Sequence, residues 1–317
     1  MRKGQLIIGC NKHIGESHLR KDMPLQDASD ATFLNCSDNS FVVIVSDGHG
    51  GKKYFRSERG SEYAVEATKF VIKNIVLKNY KKIIKELQNK SLNSTELLET
   101  TKSQIIMKWV ELCSSDKKRH PYCEDDKFNS LNDKDKLSVQ NINTNNSIEI
   151  ENLKAYGCTL IVYACFTDFA LLLQIGDGTA FIIDSSNNIK YLDDYVKKED
   201  ELEFNYTTSM CQNDALQHFN GYYFAKCDRP NAVILSSDGV INSFESKKSF
   251  EKFMFQICDL YIADNTNKRS NQSLTNELYK ALGDVTKYGS MDDVSVAFFI
   301  HRKLKKIICN YLEGQND

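Results

Sequence analysis

Three times in this chain an apolar run ends in Asp-Gly: at Asp47-Gly48 in FVVIVSDG, at Asp177-Gly178 in FALLLQIGDG, and at Asp238-Gly239 in NAVILSSDG. A pair of acids, Asp292-Asp293, stands just before another apolar run, and Asp27 lies in PLQDAS. The first of these sites is the richest, because His49, Gly50 and Gly51 follow at once. Taken alone, it reads as well as a hairpin turn. It reads equally as a strand end that holds Asp47 and His49 where they can act on a ligand. The repetition favours chemistry. A buried strand needs no acid at its tip, and an isolated buried carboxylate costs several kcal/mol unless it is paired or bound to a cation. Several strands ending in Asp could gather oxygen donors at one rim of a sheet sandwich. All-oxygen donors suit Mg²⁺ or Mn²⁺ rather than zinc, and such ions commonly serve phosphoryl chemistry.

The elements that must position these acids are short strands and amphipathic helices. Strands are expected at 5–10, 31–35, 41–47, 158–166, 169–177, 179–185, 221–227 and 231–239, and in the closing DDVSVAFFIHRK. The separators near 167 and 176 are so short that they predict antiparallel neighbours and a meander of hairpins. Ala64, Ala67, Val71 and Ile75 form a helical stripe within 61–80. A second helix is expected over 95–113 with Leu98, Ile105, Trp109 and Leu112 on its apolar face, opened by an Asn93/Glu96 capping box. Helices are also expected at 247–262 and 272–282. The segment 114–154 is polar and nearly without apolar periodicity, which predicts a surface insertion or connection, and 187–219 reads mostly as loop. Strands and helices segregate into blocks. That pattern predicts an α+β fold with antiparallel sheets covered by helix pairs, in one domain over 1–317.

Composition narrows the function classes. A formal net charge of −2 over 317 residues gives no electrostatic case for nucleic acid. No apolar stretch approaches the ~18 residues of a membrane helix, and the N-terminal apolar run is too short for a signal-peptide core. The ten cysteines form no C-x-x-C pair, so zinc is disfavoured; Cys10, Cys158, Cys165 and Cys258 sit in apolar runs as small hydrophobes. A reducing, cytoplasmic compartment is the simplest expectation.

The ordered set QDAS, SDGHGG, GCTLIV, IGDGTA, LSSDGV and GSMDDVSV, running from about Gly15 to the last strand, resembles the metal-dependent type 2C Ser/Thr protein phosphatases (the PPM class). GESH, RSERGSEYAVEA and TTSMCQNDA look closer to the bacterial-type subgroup. The resemblance implies a four-layer α-β-β-α sandwich with the site in a cleft between the sheets. It implies two Mn²⁺ or Mg²⁺ ions, phosphoserine and phosphothreonine proteins as partners, and a monomer. Asp47 would bridge both ions, the Gly48 carbonyl would join one shell, Asp238 and Asp292 would hold the other ion, and Asp27 would act through water. Asp177 would contribute to a weak third ion. His49 would be the general acid, and no cysteine is needed as nucleophile.

The sequence also departs from the family pattern. Gln26 stands where many members have Glu, and Asn242 where a third-ion Asp is often found. Asp22 occupies the usual place of a phosphate-binding Arg, which leaves His18, Arg20, Lys21, Arg56 and Arg59 as candidates for that role. Asp293 fits a hydrogen-bonding role, Gly157 and Thr159 fit packing beside the site, and His13, His120, His218 and His301 carry no motif. Ser236 and Ser237 have no partnered His motif that would make either a nucleophile. Two rival readings stand beside the phosphatase: a two-metal phosphoesterase for small esters, and a pseudophosphatase serving as a binding module, whose signature would be loss of a core acid.

Overall fold

In the computed structural model, which describes residues 5–35, 39–140, 149–196, 207–263 and 270–314, the apolar runs become ten strands. They are β1 (Leu6–His13), β2 (Ala28–Asn35), β3 (Ser40–Ser46), β4 (Leu160–Cys165), β5 (Phe169–Ile175), β6 (Thr179–Ile183), β7 (Ile189–Lys190), β8 (Asn220–Ala225), β9 (Ala232–Ser236) and β10 (Val294–His301). The helices are α1 (Glu16–Arg20), α2 (Ser57–Val71), α3 (Tyr80–Gln88), α4 (Ser94–Arg119), α5 (Asp126–Asn129), α6 (Asp133–Gln140), α7 (Ala215–His218), α8 (Asp238–Ile241), α9 (Lys247–Ala263), α10 (Asn271–Tyr288) and α11 (Lys305–Glu313). None of the described helices is long and apolar enough to cross a membrane.

Two antiparallel sheets result, one ordered β1-β10-β9-β6-β7 and the other β2-β3-β4-β5-β8. Alternation along β3 explains the layering. Phe41, Val43 and Val45 pack between the sheets against Ile161, Leu235 and Phe299, while Val42 and Ile44 face Ala64, Ala67, Ile105 and Trp109 of α2 and α4. Covered on both faces, the strand reads as an unbroken apolar run. The first sheet is covered likewise by α9, α10 and α11, through Met254, Leu278 and Ile308. Each such side chain contributes about 1.5–3 kcal/mol by burial, so a one-residue slip of β3, which exchanges its two packed faces, is strongly opposed. The architecture is the expected α-β-β-α sandwich.

Several expectations need correction. The chain makes a hairpin from β4 to β5, but the meander stops there. β6 leaves for the opposite sheet and pairs with β9 and β7, while β8 takes the place beside β5. A link of a few residues can span two sheets packed about 10 Å apart as readily as it can close a hairpin, so its length did not decide the matter. Gly176, at φ +103°, turns the backbone away from the ladder, a conformation glycine adopts without strain. The Asn93/Glu96 capping box is present, and α4 runs on to Arg119, beyond the expected end. Past it, the described part of 114–154 is anchored by widely spaced buried residues, Tyr122, Phe128, Leu131 and Val139, whose spacing gave no periodic signal. Residues 141–148 lie outside the described part, as do 197–206 within the expected loop of 187–219. The helix expected over 61–80 widens after Val71 into a π-helical turn, Ile72–Leu77. The chain does not close on β10: α11 follows, its buried Ile308 in the same core as α9 and α10. Cys158, Cys165 and Cys258 are buried as expected, and Cys10 is half-buried.

Candidate active site

The backbone beyond β3 is fixed by residues 157–159. Thr159 N donates to the Asp47 carbonyl (2.8 Å), Asp47 N donates to Thr159 Oγ1 (3.0 Å), and Ser46 Oγ donates to the Thr159 carbonyl (2.6 Å). Gly48 bridges to Cys158, and His49 N donates to the Gly157 carbonyl at 3.0 Å. The ladder therefore continues past the strand and leaves Asp47, Gly48 and His49 little freedom. Thr159 is more than packing: it holds Asp47 in place. Gly157 is required by the close approach of the imidazole, since a Cβ there would stand 2.9 Å from His49 Cδ2 and 2.7 Å from Tyr54 Cδ1. Gly157→Ala is expected to displace His49, lowering kcat on a phosphopeptide roughly 10²-fold, as misplacement of a reacting group by about 1 Å does. Steady-state kinetics beside a thermal melt would check this. A drop in kcat explained by unfolding, or no drop at all, would count against the assignment.

The other acids arrive from the opposite sheet. Asp238 opens α8 directly after β9, and Asp292 and Asp293 precede β10, the neighbour of β9. Asp293 is a pin: Gly15 N and Gln26 N each donate to its carboxylate at 2.6 Å. His18 Nδ1 lies 3.0 Å from Asp293 Oδ2, close but off the line of a good hydrogen bond, and His18 Nε2 lies 3.7 Å from Asp292 Oδ1. This ties α1 and the residues before β2 to the start of β10. A cleft of about 360 Å³ results, lined among others by His18, Lys21, Gln26, Asp47, Gly48, His49, Asp177, Asp238 and Asp292.

Its electrostatics are those of crowded acids. Burial, then the charges of Asp27 and Asp238, pushes the Asp47 carboxyl well above the usual carboxylate range. Asp238, hydrogen-bonded to Asp47, is raised by burial as well. Asp27, 1 % exposed, is pushed up to about 7 by burial and then by the Asp293 charge. The Ser237 and Ser295 hydroxyls favour its charged form, yet neither carboxylate oxygen has a hydrogen bond of ordinary geometry. Burial lowers His49 to about 4, against the pull of Asp177, whereas the contact with Asp293 raises His18. Among the described residues no three His, Cys, Asp or Glu side chains already converge on one ligating point; the carboxyls pair with each other instead. Buried, mutually repelling carboxyls that hold protons too tightly, with two orphaned oxygens at Asp27, are a donor set that fits a hard divalent cation.

Not every expected residue reaches the cleft. Asp27 lies buried behind its wall. Arg20 is exposed and pairs with Glu16. Arg56 is buried and consumed: its guanidinium donates to Asp125 Oδ2 (3.0 Å), the His120 carbonyl (2.7 Å) and Tyr156 Oη (2.9 Å). Arg59 is bound to Asp116. None of these three arginines lines the cleft. His18 and Lys21 remain.

Sequence reasoning missed Thr207, and it singled out Asn242 and Gln26 without the bonds they make. Asn242 Nδ2 donates to Asp238 Oδ2 (3.2 Å), Thr207 Oγ1 to Asp177 Oδ2 (2.6 Å), and Gln26 Nε2 to Ser57 Oγ (2.6 Å), leaving Gln26 Oε1 buried without a partner. The first had a signal, since Asn242 follows Asp238 by one helical turn. His13 packs on Tyr279, His120 meets Asp116, His218 meets Asp214, and His301 accepts from Lys303 N, all away from the cleft. Ser236 and Ser237 are buried, and Ser237 Oγ accepts from Ser295 N, so neither is placed as a nucleophile.

No curated protein matches the sequence. Among solved structures, a bacterial serine phosphatase is similar at 13% identity and a TM-score of 0.50, covering 93% of this chain and 97% of its own. The serine/threonine phosphatase Stp1 of Staphylococcus aureus is similar at 14% identity and a TM-score of 0.50, covering 93% and 94%. At such identities the likeness is one of fold. A family model described as Protein phosphatase 2C matches residues 14–279, so the chain belongs to the protein phosphatase 2C family, the metal-dependent serine/threonine phosphatases.

Proposed function

We propose that this chain removes phosphate from phosphoserine and phosphothreonine in proteins, with two Mn²⁺ or Mg²⁺ ions held by Asp47, the Gly48 carbonyl, Asp238 and Asp292, and with Asp27 behind them. The observation that carries this is the meeting of Asp47 from one sheet with Asp238 and Asp292 from the other, in one cleft with His49. When bound, the ions supply Lewis acidity, activating water at neutral pH and neutralising the phosphoryl oxygens. Asp177, tied to Thr207, belongs to a third and weaker position. Lys21 and His18, the nitrogen groups beside the cleft, bind and orient the phosphoryl group, with Asp293 holding His18 in place.

His49 delivers a proton to the departing serine or threonine oxygen. Its burial keeps the imidazole neutral at rest, so it needs anions nearby to be charged. Asp177 acts in that direction already, and the substrate's phosphoryl dianion adds to it. Gln26, fixed by Ser57, orders water without adding charge. The segment 114–154 is an elaboration of one catalytic unit. The nine described cysteines are all free, which supports a reducing, cytoplasmic location. The binding-module reading is disfavoured, because no core acid is missing.

Hydrolysis of a phosphothreonine peptide with Mn²⁺ titrated in tests the reading. Turnover should be absent in EDTA and rise to saturation with Mn²⁺. Folded protein that stays inert at every Mn²⁺ and Mg²⁺ concentration would sink it.

A further inference from the structure

A second cavity, about 720 Å³, opens beside the reaction cleft, and Asp177 belongs to the walls of both. It lies between the turn after β5, the residues following β7, and the stretch from α8 into α9. Its walls carry Asp177, Asp193, Asp194 and Glu245 with the aromatic rings of Tyr191 and Phe244, and among the described residues Lys247 is the one basic residue in its lining. That lysine reports on the chemistry of the wall, since its ammonium sits 4.0 Å from the Tyr191 ring centroid. The ring is held for this purpose: Asp194 Oδ2 accepts from Tyr191 N (2.7 Å) and Glu251 Oε1 from Tyr191 Oη (2.9 Å). Gln174 Oε1, in the same lining, is buried without a hydrogen-bond partner and is suited to accept from a donor. An aromatic face flanked by carboxylates recognises ammonium or guanidinium groups. The shared Asp177 places such a group within a few residues of a phosphate in the cleft.

We propose that this groove binds a lysine- or arginine-rich segment flanking the phosphorylated residue, so that the enzyme selects phosphoproteins with basic surroundings. The proposal rests on the phosphatase reading of the adjoining cleft. Lys247 occupies the Tyr191 face in the free protein and competes there with the incoming cation.

The test compares two phosphothreonine peptides, one flanked by arginines and one by glutamates, with p-nitrophenyl phosphate run alongside, all with Mn²⁺. The ratio of kcat/KM, basic over acidic, should be about tenfold or more at low salt and should shrink as salt shortens the screening length. Glu245→Lys, at an exposed position, should cut that ratio about tenfold, and Lys247→Glu should raise it severalfold. Equal turnover of both peptides overturns the groove while leaving the phosphatase reading standing. A ratio unmoved by either charge reversal, in variants whose melting matches wild type, overturns it as well. Failure to hydrolyse any of the three substrates overturns both readings together.

Discussion

Asp238→Asn is expected to remove at least about 10³-fold of kcat/KM on phosphopeptide and on p-nitrophenyl phosphate alike, a loss of roughly 4 kcal/mol in transition-state stabilisation. The change is nearly isosteric and leaves a group that can still hydrogen-bond to Asp47 and Asn242. What it removes is one of the charges that a divalent cation must balance. The same removal eases the repulsion of Asp238 with Asp47, Asp177 and Asp292, whose charges act on it or are acted on by it across the cleft. The metal-free variant should therefore melt no lower than metal-free wild type, while the rise in melting temperature on adding Mn²⁺ shrinks. Calorimetry with and without Mn²⁺, beside the kinetics, separates this from simple damage. Retained turnover, or a collapse in stability, would show that Asp238 is not a ligand.

His49→Asn should act on one class of substrate and spare another. Loss of a positioned acid is worth about 10²–10⁴-fold on a serine or threonine leaving group, which departs poorly as an alkoxide. p-Nitrophenolate leaves without a proton, so its hydrolysis should fall by much less. A cavity-lining imidazole with no role in proton transfer would lower both rates together, and that equal loss would reassign His49 to packing. The contrast is informative because the residue rests neutral: its buried ring, lowered to about 4, must gain its proton from the company of Asp177 and the bound phosphoryl group.

The layered fold was legible because both faces of each central strand are covered. Val42 to Val45, Phe169 to Leu173 and Ala232 to Leu235 had to be continuous apolar runs, and the acids beyond their ends, Asp47, Asp177 and Asp238, stood out against them. A hydrogen-bonding role for Asp293 was expected and is present, but its partners, the Gly15 and Gln26 amides, lie 278 and 267 residues away in sequence and were not legible. Other features depend on distances that the sequence does not carry. A link of the length of Gly176–Gly178 can close a hairpin or cross between sheets, and only the competition between β6 and β8 for the edge of β5 decides which. Five basic residues near the motifs looked equivalent as phosphate binders. Three of them are set aside by partners, chiefly Asp125 and Asp116, that lie some sixty residues away in a segment whose anchoring was itself hidden. The second groove was invisible for the same reason, because its walls come from four separate stretches of chain.

The pairing of β1 with β10 joins residue 6 to residue 301, and Asp293 pins Gly15 and Gln26 across a comparable span. Contacts of such sequence separation form late and slowly, after the closure of a very long loop. During synthesis the first sheet stays incomplete until the last strand has left the ribosome, and until then Asp292 has no fixed place beside Asp238. A chain that lacks β10 therefore cannot gather the charges that make the cleft, and the capacity to cut phosphate esters arrives in a single step, when β10 pairs with β1 and β9.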